Sequence, residues 1–333
     1  MKKEKKEKLP KEKKVVDPKK EKKQTIIGMS ITVTASIVVG VCIGTILRST
    51  MGGNGYNNIP SIDESQYKTE IVTIKEKYNS ALEENKNLSE VLTPVEMVQV
   101  SFNLLEGTNY MNECHGKNIQ KNVPLLGTLT QVVTSMKAVY DNSVYAESIS
   151  SGKVNLATRF IQSNEVIKCY DKDKLDSTRK SEEIVLATYK ESKKTMTVDE
   201  YEGLYGSKLS DSTNLLISSK TIKEGTKPSI VQNADGGYTI ELELSDVACY
   251  KYKKQILATE STLSGVGDFA QLKLTCKLND KLYLQEYISD EEYDVKAFGA
   301  KVTCVASLKY TYYYDVTRDS FPNGTESYVW KGR

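Results

Sequence analysis

Residues 25–47, TIIGMSITVTASIVVGVCIGTIL, carry no charged side chain, and this segment constrains the chain more than any other feature. A helix of about 20 apolar residues spans a hydrocarbon core of roughly 30 Å. Residues 1–24 carry 12 Lys against 4 Glu and 1 Asp, whereas only Arg48 follows the segment closely. Because positive charge collects on the cytoplasmic side, the pattern predicts a single transmembrane helix at 25–47 with a basic cytoplasmic tail at 1–24.

The alternatives to this signal anchor are weaker. A cleaved signal peptide has shorter charged and apolar regions and a small-residue cleavage site after them. A lipid anchor on Cys42 needs a small residue before the thiol, but Val41 stands there. We therefore expect a single-pass protein of the cell membrane, with the bilayer as the partner of residues 25–47 and an extracytoplasmic C-terminal part. The usage of Lys, Asn and Tyr favours a bacterial source.

Small residues recur at every fourth position of this segment and share one helical stripe: Gly28, Thr32, Ser36, Gly40 and Gly44. Small side chains let two membrane helices approach closely, and the last two residues form a GxxxG pair. The stripe predicts a homodimer. The alternative is that small residues are simply common in membrane helices.

Residues 48–63 are rich in Gly and Asn and predict a flexible linker, and residues 64–93 then follow a heptad pattern. Eight positions are separated alternately by four and three residues: Tyr67, Ile71, Ile74, Tyr78, Ala81, Asn85, Leu88 and Leu92. This spacing is typical of a coiled-coil seam, and a buried Asn at one a position, here Asn85, selects a parallel dimer. The open alternative is an amphipathic helix that packs on its own domain, because four heptads are short for an independent coil.

Residues 94–316 are predicted to form a β-rich extracytoplasmic domain, with a C-terminal tail at 317–333. Thr93-Pro94-Val95-Glu96 is a helix start, and a period of two dominates from about residue 132. Strands are expected near 135–141, 143–150, 155–162, 165–171 and 183–191, with helices at 197–206 and 246–258. The fold class is α+β: a mostly antiparallel, curved sheet, apolar on one face only, with a few packed helices.

Apolar residues alternate along the later strands and are expected to face either a ligand or the core: Tyr238, Ile240, Leu242, Leu272, Leu274, Val302, Cys304 and Leu308. Five cysteines lie outside the apolar segment and cannot all pair within one chain. Cys276 and Cys304 are therefore interpreted as buried free thiols, with one disulfide as the alternative.

The order of these elements resembles the LolA and LppX class of extracytoplasmic carriers, which are often lipoproteins. The resemblance covers roughly residues 95–316 and includes the stretches YTIELELSD, FAQLKLTCKLNDKLYLQEYISDEEYDV and KVTCVASLKYTY. It implies a half-barrel sheet that holds lipid between itself and the helices. This chain has a predicted membrane helix and stalk where those proteins often have a lipid anchor.

Motifs for catalysis and for metal or cofactor binding are absent from the sequence. It has no CxxC, HExxH, GxGxxG, Walker A or GxSxG pattern, so no cofactor, metal or catalytic residue is predicted. His115, the only histidine, stands beside Cys114, but adjacent residues on a loop rarely face each other. The acids of the run 290–293 are interpreted as a solvated turn. Residues 49–333 carry a net charge of −6, which disfavours nucleic acid as a partner.

These observations favour a non-enzymatic, membrane-anchored domain that binds an apolar ligand or a protein partner at the envelope. The alternative is a structural or assembly protein of the envelope with a closed core. The two functions predict different cavity volumes, since a carrier needs an apolar cavity of several hundred cubic ångströms.

Overall fold

The computed structural model describes residues 59, 62–152, 156–175, 187–259, 263–297 and 300–317. The predicted membrane helix at 25–47, with its stripe of small residues, lies outside the described residues, as do 1–24 and 318–333. Within the described part of the chain, no helix is long and apolar enough to cross a membrane.

Five α-helices and eleven strands make up the described fold. The helices are α1 (Ser65–Glu83), α2 (Leu88–Val91), α3 (Pro94–Leu105), α4 (Val198–Tyr205) and α5 (Tyr250–Thr259), with short 3₁₀ turns at Ser219–Thr221 and Asp246–Cys249. The strands of the first half are β1 (Tyr110–Val123), β2 (Gly127–Tyr140), β3 (Ser143–Gly152), β4 (Leu156–Ser163), β5 (Val166–Leu175) and β6 (Ala187–Thr197). Those of the second half are β7 (Ser229–Gln232), β8 (Tyr238–Glu243), β9 (Leu263–Leu278), β10 (Leu284–Ala297) and β11 (Ala300–Tyr313).

All eleven strands belong to one sheet in the order β6-β5-β4-β3-β2-β1-β11-β10-β9-β8-β7. The sheet is two antiparallel meanders, β1–β6 and β7–β11, which join where the first strand pairs with the last and Met111 lies opposite Tyr313. The sheet is curved and does not close. The predicted α+β class with a mostly antiparallel curved sheet is confirmed.

The N-terminal helices pack on their own domain. Ile74, Tyr78, Ala81, Leu88 and Leu92 are all buried in the main hydrophobic core, and the Tyr78 hydroxyl donates to the carbonyl oxygen of Lys281 at 2.9 Å. These residues therefore adopt the alternative arrangement, in which the apolar stripe is covered by its own chain.

The prediction of a continuous coiled-coil seam through Asn85 is wrong. The first helix ends at Glu83, and Asn85 has a φ of 53°, which places it in a left-handed turn before α2. A residue in that conformation cannot occupy a helical a position. The heptad spacing therefore spans two short helices rather than one long one.

Strand β1 corrects the interpretation of Cys114 and His115 as loop residues. Consecutive side chains on a strand point to opposite faces. Cys114 is buried beside Tyr310 of β11, whereas the neighbouring His115 is 41% exposed, with its Nε2 4.0 Å from a Glu113 oxygen. The two side chains therefore lie on different sides of the sheet, and the strand form removes the Cys-His pair.

The expected polar outer face is found only in part of the sheet. Seven consecutive residues of β3, Val144–Ser150, are buried, so this strand is covered on both faces. On the outer face Tyr145 packs with Met111 and Val316, and the buried Arg159 reaches Glu147 at 3.1 Å. The prediction of a one-sided sheet is therefore wrong for the first meander, because chain beyond β11 also crosses its outer face.

Local signals placed the helices well. Thr93 and Glu96 form a reciprocal capping box at α3, and Thr197 and Glu200 form another at α4, which Gly206 ends with a φ of 77°. The predicted helix at 246–258 begins as a 3₁₀ turn and continues as α5. Such caps stabilise a helix end by about 1 kcal/mol, which lets short helices hold fixed positions over the sheet.

Candidate ligand cavity

A cavity of about 170 Å³ lies between the sheet and the helices; we call it the inner cavity. Its floor is the face of the sheet that also carries Cys304 and Leu272, and here Asn112, Ser135, Ser148 and Ser289 contribute polar side chains from four strands. Its roof is formed by α4, α5 and the segment 207–215, which we call the roof loop. The cavity is therefore enclosed by both layers of the domain.

Five tyrosines line the inner cavity: Tyr201, Tyr252, Tyr287, Tyr310 and Tyr312. The rings of Tyr287 and Tyr310 are stacked, with centroids 4.3 Å apart and planes 10° apart, and Phe102 of α3 meets Tyr287 edge-on at 5.6 Å. Burial raises the pKa of Tyr252, Tyr287, Tyr310 and Tyr312 well above 10. These neutral aromatic rings carry hydroxyl groups that can donate hydrogen bonds, and they share the wall with a few charged side chains.

Glu291 is an acidic group on the floor of the inner cavity and is only 5% exposed. One carboxyl oxygen accepts from the Ser289 hydroxyl at 2.6 Å, and the other accepts from the Tyr252 hydroxyl at 3.0 Å. Desolvation raises the pKa of Glu291 to about 7 against these two hydrogen bonds, which lower it, and the charge of Asp290 raises it further. Among the described residues, no Lys, Arg or His nitrogen forms an ion pair with this carboxylate.

Lys137 stands at the wall of the inner cavity and holds the roof loop. Its Nζ donates to the carbonyl oxygen of Asp211 at 2.5 Å. Desolvation lowers the pKa of Lys137 to about 8, and the Asp211 carboxylate opposes that shift. On the other side of the loop, the Asn214 amide donates to Gln255 of α5 at 2.5 Å. The roof loop is therefore tied both to the sheet and to a helix.

An open groove of about 900 Å³ adjoins the inner cavity; we call it the outer groove. The two spaces share wall residues of the roof loop, including Lys208, Asp211 and Leu215. Ile71, Phe102 and Leu105 give the groove an apolar part. Its rim is polar and includes Glu106, whose pKa is raised by desolvation. This volume lies in the range of about 300–1,000 Å³ that ligand sites occupy.

The apolar residues predicted to face a ligand or the core belong to the core. Tyr238, Ile240, Leu242, Leu272, Leu274, Val302 and Cys304 lie in the main cluster, and Leu308 packs in a small cluster with Cys114, Val133 and Ala306. None of the eight lines the inner cavity or the outer groove. Cys276 and Cys304 are free buried thiols, as are the other three described cysteines.

The cavity residues were missed because the run 290–293 was interpreted as a solvated turn. It lies in the middle of β10, where Tyr287, Ser289, Glu291 and Tyr293 share the inner face. The sequence did contain a signal for this site. Glu291 stands two residues from Tyr293, and side chains two residues apart on a strand point to the same face. No three His, Cys, Asp or Glu side chains in the described part of the chain are grouped to hold a metal ion.

Comparisons with known proteins do not assign this chain to a family. No family model matches the sequence, and no curated protein matches it. Among solved structures, a DUF1329 family protein from Desulfovibrio piger is 10% identical, with 67% of this chain and 92% of that chain covered and a TM-score of 0.23. A β-barrel-like protein of the domain of unknown function DUF1849 from Brucella abortus is 8% identical, with 62% and 98% covered and a TM-score of 0.25. Inference about the site therefore rests on this chain's own residues.

Proposed function

We propose that this chain is a membrane-anchored binding protein of the cell envelope whose extracytoplasmic domain holds an amphipathic, lipid-like ligand. The ligand's polar head lies in the inner cavity and its apolar part lies in the outer groove. Residues 25–47 are the anchor, and the chain acts by binding rather than by catalysis. The resemblance to carriers of the LolA and LppX class supports the same location for a ligand, between sheet and helices.

The inner cavity is the observation that carries the proposal. The inner cavity lies between the sheet and the helices and is lined by five tyrosines, with Ser135, Ser148 and Glu291 on its floor. A closed core would be filled by aliphatic side chains, as it is beneath β8 and β9, where Ile240 and Leu274 are fully buried. Aromatic walls with a few polar groups are typical of sites that take a ligand with both characters. The small volume restricts the occupant to a head group, so a longer chain must extend into the outer groove.

The competing function is a structural or assembly role with no ligand. The complete burial of the predicted ligand-facing residues favours it, because most of the inner face is packed core. Occupancy of the inner cavity separates the two functions.

Dimerisation forms part of the proposal through the stripe from Gly28 to Gly44. Ile74, Tyr78 and Ala81 of the α1 seam are packed inside their own domain. We therefore assign the dimer contact to the membrane segment, where small residues allow close approach.

The test uses the full-length chain in nanodiscs and dodecanol carrying a terminal diazirine. After irradiation, mass spectrometry of peptides should locate the label on residues of the inner cavity or the outer groove. Ser135→Phe and Ser148→Phe fill the floor and should each reduce this labelling severalfold, whereas Ser307→Phe, on the exposed side of β11, should leave it unchanged. Circular dichroism shows whether each variant is folded. Label confined to residues 25–47 in the wild type would rule out the proposed function.

A further inference from the structure

We infer that the inner cavity takes a cationic head group of the alkylammonium class, with Glu291 as its counter-charge and the tyrosine rings as its wall. This inference rests on the proposed function and adds the chemistry of the ligand. It starts from a buried carboxyl group that faces a cavity and forms no ion pair with any described residue.

A carboxylate enclosed by protein is stable only when a cation or several hydrogen bonds compensate for lost water. Glu291 accepts two hydrogen bonds, from Ser289 and Tyr252, and a carboxylate can accept about four. Two of its acceptor positions therefore have no donor among the described residues. A ligand group that enters the inner cavity meets this carboxyl directly, because Glu291 is part of the lining.

The charged and titratable groups around Glu291 come from every element packed against it. They are Tyr252 of α5, Cys249 of the preceding 3₁₀ turn, Tyr287, Asp290 and Tyr293 of β10, Cys304 and Tyr310 of β11, and Cys114 of β1. Apart from Asp290, burial keeps these groups neutral, since it raises the pKa of each phenol and thiol. None of these groups is a cation, and the two lysines that line the inner cavity, Lys137 and Lys208, form no ion pair with Glu291.

Lys137 does not compensate for the charge of Glu291. Its Nζ donates to the carbonyl oxygen of Asp211 in the roof loop. The charge of Asp211 affects the pKa of Lys137, whereas the charge of Asp290 affects the pKa of Glu291. The Lys137 amine is therefore engaged by the roof loop.

The tyrosines favour a cation over a neutral hydrogen-bond donor. The face of an aromatic ring attracts a cation by roughly 0.5–2 kcal/mol, and quaternary ammonium groups are recognised by aromatic cages in this way. Tyr252, Tyr287 and Tyr310 line the inner cavity and also act electrostatically on Glu291 or are acted on by it. A carboxylate and aromatic rings that line the same cavity offer both attractions to one ligand. The volume of about 170 Å³ suits a head group of this size.

The experiment compares choline with its neutral isostere 3,3-dimethylbutan-1-ol, using the full-length chain in a non-ionic detergent and isothermal titration calorimetry. The wild type should bind choline at least tenfold more tightly, which corresponds to about 1.4 kcal/mol. In Glu291→Gln the ratio should fall severalfold, to the preference that the aromatic rings alone provide. The matched control is Glu292→Gln, on the opposite face of the same strand, which should keep the wild-type ratio.

The pH dependence of choline binding provides a second test of the role of Glu291. A cation binds the ionised carboxylate, and the pKa of Glu291 is about 7 in the free domain. Choline affinity should therefore fall about tenfold from pH 8 to pH 6 in the wild type and stay constant in Glu291→Gln. A single cooperative urea-unfolding transition in each variant would show that it is folded.

The outcomes separate this inference from the proposed function. Equal affinity for both probes, or no binding of choline, overturns the cationic head group. Diazirine labelling of the inner cavity would in that case leave the binding function standing with a neutral ligand. Loss of labelling together with loss of choline binding overturns both.

Discussion

Replacing Ile74 by Ala tests whether α1 belongs to the core of its own domain or to a seam between chains. Ile74 is 2% exposed and lies in the main cluster with Tyr78, Leu88 and Leu92. Removing a buried Ile side chain costs the lost transfer free energy plus the cavity that remains, about 2–5 kcal/mol in well-packed cores. We expect a loss of about 3 kcal/mol in the free energy of unfolding and no change in the association state.

The control is Val72→Ala on the same helix. Val72 is 57% exposed, so its truncation should cost less than about 0.5 kcal/mol. Urea unfolding of the full-length chain in detergent, followed by far-ultraviolet circular dichroism, gives the stability of each variant. Sedimentation equilibrium gives the mass. A variant at Ile74 that dissociates while its unfolding midpoint is unchanged would refute the packing of this helix on its own domain.

Three further results are expected. Burial raises the pKa of Glu291 from 4.5 to about 7, so between these pH values the folded state keeps a proton that the unfolded chain releases, and stability falls as the pH rises. Glu291→Gln should therefore be more stabilising at pH 8 than at pH 5. An equal effect at both pH values would contradict the shift. Iodoacetamide should leave Cys114 and Cys276 unmodified in the native chain, since burial raises the pKa of both thiols to about 12, and should modify both in urea; an adduct on either native thiol, seen by mass spectrometry, would count against their burial. Protease added to protoplasts should digest the domain at 94–316 and spare residues 1–24, whereas a protected domain would refute the predicted topology.

Patterns that act over a few residues predicted their structures well. The capping boxes at Thr93 and Thr197 marked the starts of α3 and α4, because side-chain caps depend only on the nearest turn. Strands β2 to β5 followed the period of two. Strand β1 escaped detection because its inner positions include Asn112, Asn118 and Gln120, so the apolar alternation that identifies a strand is missing.

Features that depend on tertiary packing could not be read from spacing. The heptad pattern is shared by an intermolecular seam and by a helix on its own domain. The burial of Ile74 and the left-handed turn at Asn85 distinguish them here. The inner cavity combines Tyr201, Tyr252 and Glu291 from α4, α5 and β10. No local signal relates these elements, which are distant in the chain, so the cavity could not have been predicted as a unit.

The pairing of β1 with β11 gives this domain a late step in its assembly. Met111 and Tyr313 lie opposite each other although they are about 200 residues apart in the chain, and contacts across such separations form slowly. On the proposed extracytoplasmic location, the chain cannot complete this pairing before its last strand has left the translocation channel. Until then the two meanders expose the strand edges of β1 and β10, which can recruit strands from other chains. We therefore expect chains that stop before Ala300 to aggregate or to be degraded, even though they contain every residue of β1 to β10.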